Sequence, residues 1–243
     1  FKDVTVQTMD VWTWGLLAIG ALVAVSTLVA LMRRRRDELF AEYKSHRPPM
    51  PDDLRSQVEP LLQIVKALGL PLLRVPGVEP DDVLGPLARR AAAAGRNVVI
   101  STGDKDMAQL VDERITLVNT MTNTRLDRDG VKAKFDVWPE QIIDYLALVG
   151  DSSDNIPGIE KVGPKTAAKW LGTWKTIEDL LAHAGEVPGV AGENLRNGRE
   201  TLALSRLLAT IRTDLELPEL SVAERDGDFA RATPDAPQLR ELY

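Results

Sequence analysis

The 243-residue chain contains no cysteine and only two histidines, His46 and His183. A disulfide framework, a thiolate zinc site, a cysteine nucleophile and a histidine-rich metal site are therefore excluded. Aromatic residues are scarce at 5%, and there is no excess of positive charge: 30 Lys+Arg stand against 36 Asp+Glu, a net charge of −6. This balance argues against a generally basic nucleic-acid coat and leaves room for a local one. No internal repeat of fixed period is visible. Carboxylate is abundant, which points to oxygen ligands and hard cations. With 44% apolar and 27% charged residues, the composition is that of a folded chain, with length for one sizeable domain or two small ones. It opens on Phe1 rather than Met, as a trimmed sequence or a fragment would.

One long hydrophobic run stands apart. Val11 to Met32 carries no charge, with Trp12 and Trp14 near one end and Arg33 to Arg36 directly after the other. As a helix, 22 residues would extend about 33 Å, enough to cross a bilayer core. The flank with Lys2, Asp3 and Asp10 is slightly negative, so the positive-inside rule places Arg33 and all that follows in the cytoplasm. A cleavable signal peptide would show the reverse charge order. The expectation is a single-pass membrane anchor bound to the lipid bilayer through residues 11–32, the bland alternative being a buried core helix.

The rest reads as soluble α/β. A helical stretch from Arg36 to Arg47 places Arg36, Phe40, Tyr43, Lys44 and Arg47 on one face, and Pro48, Pro49 and Pro51 end it. Asp52 and Asp53 open a second helix, whose Leu54, Val58, Leu61, Leu62, Val65 and Leu68 form an apolar stripe up to Gly69. A strand near Leu72 to Val75 comes next, then a helix from about Pro80 to Ala94. Val98 to Ile100 follows as a buried strand, a helix from about Lys105 to Val111, and a strand over Ile115 to Val118. Such alternation predicts a parallel sheet with right-handed crossovers. From Pro139 only helices are expected. Ile142, Ile143, Leu146 and Val149 share one face, and further helices fall near Pro164–Leu171, Ile177–Leu181 and Glu193–Ile211, before a tail rich in proline and charge.

Three acidic clusters carry the chemistry: Glu79, Asp81 and Asp82; Asp104 and Asp106; and Asp151 and Asp154. Taken singly, each fits helix capping or a helix first turn. Together, the first two fall at strand C-termini, where open parallel sheets bind ligands. Carboxylates crowded there repel one another, and divalent cations relieve the repulsion. Oxygen-only ligands favour Mg²⁺ or Mn²⁺ over zinc, and two such ions can activate water and stabilise the leaving oxygen of a phosphodiester. A fourth feature runs from Ile156 to Ala168. Its Gly158 and Gly163 bracket a tight turn where backbone N–H groups can approach a phosphate, and Lys161 and Lys165 add charge. An ordinary helical hairpin is the plain reading of the same residues. The run Gly189 to Arg199 fits one more backbone contact or a solvated surface equally well.

On the motifs RDELFAEYKSHRPPMPDDL, VEPDDVLG, STGDKDMAQL, GDSSDNIPGI and EKVGPKTAAKWL, in this order, residues from about 36 to 218 resemble the 5′-nuclease domain of bacterial DNA polymerase I, in the flap endonuclease family. The resemblance implies a PIN-like α/β nuclease core followed by an all-helical helix–hairpin–helix subdomain. It implies that Glu79, Asp81, Asp82, Asp104, Asp106, Asp151 and Asp154 bind up to two Mg²⁺ or Mn²⁺ ions. It places Tyr43, Lys44 and Arg47 in a helical arch, with Lys44 and Arg47 at the scissile phosphate. Gly158, Lys161, Gly163, Lys165 and Thr166 fall in a hairpin that grips the duplex backbone, with K⁺ as an associated ion. The implied reaction is metal-dependent 5′-3′ exonuclease or flap-endonuclease hydrolysis of 5′-flap, nicked or branched DNA in replication and repair, with no small-molecule substrate.

The family also begins with strands bearing two early metal-binding aspartates, and those positions fall here on the apolar run and Arg33 to Arg35. The predicted organisation is accordingly a short non-cytoplasmic N-terminus (1–10), a transmembrane helix (11–32), an incomplete parallel-sheet core with the arch (33–138), the helix–hairpin–helix part (139–217) and a tail (218–243). A membrane-tethered DNA-binding module impaired in catalysis is the alternative function, and a truncated or fused frame that folds poorly is a third.

Overall fold

The structure is a computed structural model that describes residues 34, 38, 49–217, 220, 229 and 231–242. The predicted span 11–32 and most of the arch stretch, including Tyr43, Lys44 and Arg47, lie outside the described residues. Among the described residues no helix is long and apolar enough to cross a membrane. Arg34 and Glu38 form an exposed i, i+4 ion pair at 3.1 Å.

From residue 47 onward the chain forms one compact unit. Helix α1 covers Asp52–Ala67, with Asp52 and Asp53 in its first turn and Lys66 in its last, as the helix dipole favours. Its apolar stripe does not face a core throughout. Leu54, Val58 and Leu61 are exposed, and Ala67 is its one fully buried residue among those described. Among the described residues its C-terminal end is held: Ala232 donates its N–H to the Gly69 carbonyl and Asp235 to that of Ala67, both at 2.8 Å.

The expected strand at 72–75 does not form. These residues have no ladder partners among the described residues, and Leu73 and Val75 instead pack into an apolar cluster. That cluster joins Val83 and Leu87 of helix α2 (Pro80–Ala93) to Leu215, Leu217 and Leu220. Side-chain burial satisfies the run without a sheet.

Strand β1 (Val98–Ser101) pairs in parallel with β2 (Ile115–Asn119), with Val98 opposite Ile115 and Ser101 opposite Val118. The sheet continues not in parallel but through β3 (Thr124–Leu126), which folds back antiparallel on β2. Val98 to Ile100 was expected to be buried, yet Val99 is 64% exposed, and among the described residues β1 is the edge of a three-stranded sheet. The connection between β1 and β2 is not an α-helix but a 3-10 turn, Asp106–Leu110, all of whose residues are buried. The tighter turn leaves both Asp106 and Gln109 buried.

Helix α3 (Arg128–Phe135) had no place in the sequence reading; its N-cap Asp127 accepts the Gly130 N–H at 2.9 Å. Helix α4 (Ile142–Val149) is buried almost all round, including Asp144, because it packs against the 3-10 turn and two later helices. Those are α5 (Pro164–Trp174) and α8 (Arg199–Ala209). Between them lie α6 (Ile177–Ala182) and α7 (Gly189–Asn197). The single helix expected over 193–211 is thus two, broken at Gly198. A side chain there would meet the Asn194 carbonyl at 2.8 Å and the Ile159 side chain at 2.9 Å. The tail ends in a short helix α9 (Ala236–Leu242), which packs on α1.

Candidate metal centre and nucleic-acid interface

The β1–β2 pair fixes where the second acidic cluster falls. The chain leaves β1 at Ser101 and turns sharply, with Asp104 N donating to Thr102 Oγ1 and Asp106 N to Asp104 Oδ1, both at 3.0 Å. Asp104 stays exposed, while Asp106 at the start of the 3-10 turn is only 7% exposed. Gln109 anchors the same turn. Its Nε2 donates to the carbonyls of Asp106 and Ala209 at 2.9 Å, and its Oε1 accepts the Ile211 N–H at 3.0 Å. A buried amide with three good bonds holds the turn against the end of α8.

The third cluster arrives from the end of α4. Asp151 forms a reciprocal backbone bridge with Ile156, closing a small loop. A close backbone crossing follows. A side chain on Gly150 would lie 2.9 Å from the Gly158 nitrogen, and one on Gly158 would lie 2.5 Å from the Gly150 nitrogen. Both residues also take positive φ, +75° and +65°, so glycine is required at each.

The result is a carboxylate triad. Asp106, Asp151 and Asp154 each offer an oxygen within 4.8 Å of the others, the first two buried and the third half-buried. Asp106 Oδ1 is buried without a hydrogen-bond partner. Burial, and then the charges of Asp104 and Asp151, push the Asp106 carboxyl up to about 7. Asp151 moves the other way: burial would raise it, but Lys105 and the Ser153 N–H outweigh that and hold it below its ordinary value. Lys105 Nζ lies 2.8 Å from Asp151 Oδ2, and the Ser153 N–H donates to Oδ1 at 2.8 Å.

The seven expected carboxylates do not all converge on this triad. Asp81 is close enough for its charge to raise Asp106. Asp82 Oδ1 instead accepts the Arg212 N–H at 2.8 Å, tying α2 to the chain after α8. Glu79 is the N-cap residue of α2, and its side chain does not bond the helix's first N–H groups.

In the hairpin, Lys161 takes a left-handed φ of +66° and is exposed, and α5 starts at Pro164 with Gly163 as its N-cap. Gly163 has φ −99°, with nothing within 4 Å of where a side chain would project. Gly158 N donates to the buried Ser205 Oγ at 3.0 Å and Thr166 N to the Gly163 carbonyl, so these two N–H groups are committed within the fold. In the later run two side chains are engaged within the fold. Asn194 Nδ2 holds the Glu160 carbonyl at 2.8 Å, and Arg196 binds the carbonyls of Ala184 and Val187.

Comparison with known proteins bears on what this arrangement is. Residues 22–136 match the family model of the 5′-3′ exonuclease N-terminal resolvase-like domain, and residues 137–228 that of the 5′-3′ exonuclease C-terminal SAM fold. A 5′-3′ exonuclease of Aquifex aeolicus is 39% identical over 209 residues, covering 86% of this chain and 70% of that one. The chain belongs to the 5′-3′ exonuclease family. DNA polymerase I of Pseudomonas aeruginosa is 58% identical over 215 residues, 85% of this chain but 23% of the polymerase. The chain therefore spans about a quarter of that relative's length. The fold is shared with the D15 flap endonuclease of bacteriophage T5, solved as a pseudo-enzyme-product complex with DNA and metal ions, at TM-score 0.60 and 21% identity over 71% of this chain and 65% of that one.

The N-terminal match starts at residue 22, inside the apolar run read as a membrane span, and so assigns residues 22–32 to the nuclease family. Nothing in the comparisons adds to the case for a membrane anchor. The α/β core and the C-terminal helical part of the exonuclease family are both present, although the described sheet is mixed rather than parallel. Two polar residues of this centre escaped the sequence reading, Lys105 and Gln109. A lysine between two aspartates was a visible signal; a glutamine in an apolar turn was not.

Proposed function

We propose that the chain is a divalent-metal-dependent nuclease that hydrolyses DNA phosphodiesters in the manner its family's name describes, as a 5′-3′ exonuclease or flap endonuclease. The observation that carries the reading is the buried, partnerless Asp106 Oδ1 inside the Asp106, Asp151 and Asp154 triad. An all-oxygen donor set suits Mg²⁺ or Mn²⁺, and the T5 structure of the same fold contains DNA and metal ions. The residues present fit such a cation: three converging carboxylates, of which Asp106 keeps one buried oxygen without a hydrogen-bond partner.

When bound, a divalent cation supplies a water of lowered pKa and charge neutralisation at the scissile phosphate. The chain's own residues do the rest. Asp106, Asp151 and Asp154 hold the centre, with Asp81 and Asp104 adding negative charge at its rim. Glu79 and Asp82 complete the proposed set of acids, Asp82 with one oxygen already spent on Arg212. Gln109 keeps Asp106 in place through the Asp106 carbonyl. In the hairpin, Lys161 and Lys165 present charge to the phosphate backbone beside the open face of Gly163, with Gly158 and Thr166 shaping the turn and K⁺ as its associated ion. Tyr43, Lys44 and Arg47 are proposed, by resemblance alone, to contact the scissile phosphate and the threaded 5′ strand.

The test is cleavage of an end-labelled 5′-flap DNA by the full chain in Mg²⁺, in Mn²⁺ and in EDTA, beside an Asp104→Ala, Asp106→Ala variant. Cutting that needs the metal and vanishes in the variant is the expected result. Flap binding without cutting under every metal condition would overturn the enzymatic reading.

A further inference from the structure

We infer that Lys105 is a resident placeholder for the metal: its ammonium holds Asp151 in the metal-free protein and must leave when a divalent cation enters. The inference rests on the metal-centre reading above and adds a regulation of that site. Both oxygens of the buried Asp151 are engaged, Oδ1 by the Ser153 N–H and Oδ2 by Lys105 Nζ, each at 2.8 Å. The Ser153 bond belongs to the small loop closed by the Asp151–Ile156 bridge and can be lost only by reshaping that loop. Lys105 differs. Its backbone is fixed, since its carbonyl accepts the Ala108 N–H at 3.1 Å, but its side chain is 40% exposed and long enough to retreat into solvent.

The two cations exclude each other by distance and charge. A Mg²⁺ or Mn²⁺ ion sits about 2.1 Å from a carboxylate oxygen. If it shared Asp151 Oδ2 with an ammonium at 2.8 Å, the two positive centres would lie no more than about 5 Å apart in a largely buried site. A lone ammonium also cannot satisfy the pocket as a divalent ion can. It reaches Asp151 while Asp106 Oδ1 stays without a partner. Lys105 thus offsets the repulsion among the three carboxylates whenever no metal is bound, at some loss of metal affinity.

The measurement is Mn²⁺ affinity by electron paramagnetic resonance on the full chain, for wild type, Lys105→Met and Lys105→Arg, with Asp106→Asn defining the signal from the triad. Removing a partly exposed ion pair that competes with the metal should tighten Mn²⁺ binding by about three- to tenfold in Lys105→Met. The same variant should melt lower without metal, while Lys105→Arg stays near wild type in both. Unchanged or weaker Mn²⁺ binding in Lys105→Met would overturn the inference. A second readout needs no variant: peptide-mapped amine labelling of wild-type Lys105 should accelerate when Mn²⁺ is added, and an unchanged or slower rate would count against it. Wild type that shows no Mn²⁺ signal dependent on Asp106 would overturn the metal centre itself, an outcome distinct from either of these.

Discussion

Asp82 Oδ1 accepts the backbone N–H of Arg212 at 2.8 Å, joining residues 130 apart in sequence. The bond fastens the first turn of α2 to the strap that follows α8, beside the apolar cluster of Val83, Leu87, Leu215 and Leu217. It separates two adjacent aspartates by task. Asp81 acts on Asp106 through its charge, while Asp82 gives one oxygen to the fold. Removing that acceptor strands a half-buried N–H, so Asp82→Ala should cost about 1–3 kcal/mol in urea unfolding. Asp82→Asn keeps a carbonyl oxygen for Arg212 and should recover most of the loss. Equal destabilisation by both would show that the carboxylate charge, not the hydrogen bond, holds α2.

Metal-free stability should fall as pH rises from about 4 to about 7. The Asp106 carboxyl is pushed up to about 7 from 3.8 by burial and by Asp104, Asp151 and Asp81, with Lys105 opposing. A raised acid binds its proton more tightly folded than unfolded, so the folded state is favoured at low pH and the full penalty is present above pH 7. That penalty reaches up to about 4 kcal/mol. Asp106→Asn cannot titrate at this position. Urea unfolding in EDTA from pH 4 to 8 should therefore show wild type losing ground to the variant over this range. Parallel curves would mean that Asp106 is solvated well enough to ionise freely.

Asp144 forms the second buried polar joint, away from the triad. Its Oδ2 accepts the Ile177 N–H at 2.9 Å and its Oδ1 meets Arg206 Nε at 3.1 Å, while Arg206 also binds Glu178. Burial raises the Asp144 carboxyl, with the Ile177 N–H and Arg206 opposing. Helices α4, α6 and α8 meet at this point. Asp144→Ala strands the buried Ile177 N–H and removes one of the two carboxylates that hold the partly exposed Arg206, and should cost about 1–3 kcal/mol. Glu178 is exposed, and Glu178→Ala should cost less than about 1 kcal/mol. A thermal melt of the two variants separates these outcomes, and similar losses would refute the ranking.

These two joints mark a limit to what the sequence makes legible. The Pro80 helix start, the strands at 98–100 and 115–118 and the helices after Pro139 follow from local signals: a proline at N1, β-branched runs and capping residues. The acidic motifs were visible because charge beside an apolar strand is conspicuous. Asp144 and Gln109 were not, since each looks like an ordinary polar residue until long-range packing buries it. Nor could periodicity show that Leu72 to Val75 would stay unpaired, because an apolar run satisfies a cluster as readily as a sheet. The break between α7 and α8 falls at Gly198, a local stop signal that the continuous apolar pattern overrode; a side chain there would meet the Asn194 carbonyl and the Ile159 side chain.

That hairpin yields the last prediction. Lys161 and Lys165 are exposed on either side of Gly163, and the ion pair of Lys161 with Glu160 is long at 3.9 Å. Neither lysine is needed to hold the turn, whose geometry comes from the Gly150–Gly158 crossing and the Gly158–Ser205 bond. Lys161→Ala with Lys165→Ala should then leave the melting temperature within about 2 °C, since exposed charges contribute little to stability. Its effect should appear in binding. Each phosphate contact releases condensed counterions, so losing two should flatten the plot of log affinity against log salt by up to about 2 units for duplex DNA. Fluorescence anisotropy of a flap substrate between 50 and about 300 mM KCl, in Ca²⁺ to prevent cutting, measures that slope. An unchanged slope with weaker binding would mean that the lysines shape the hairpin rather than touch phosphate, and the DNA-facing surface would have to be sought on another face of the helical part.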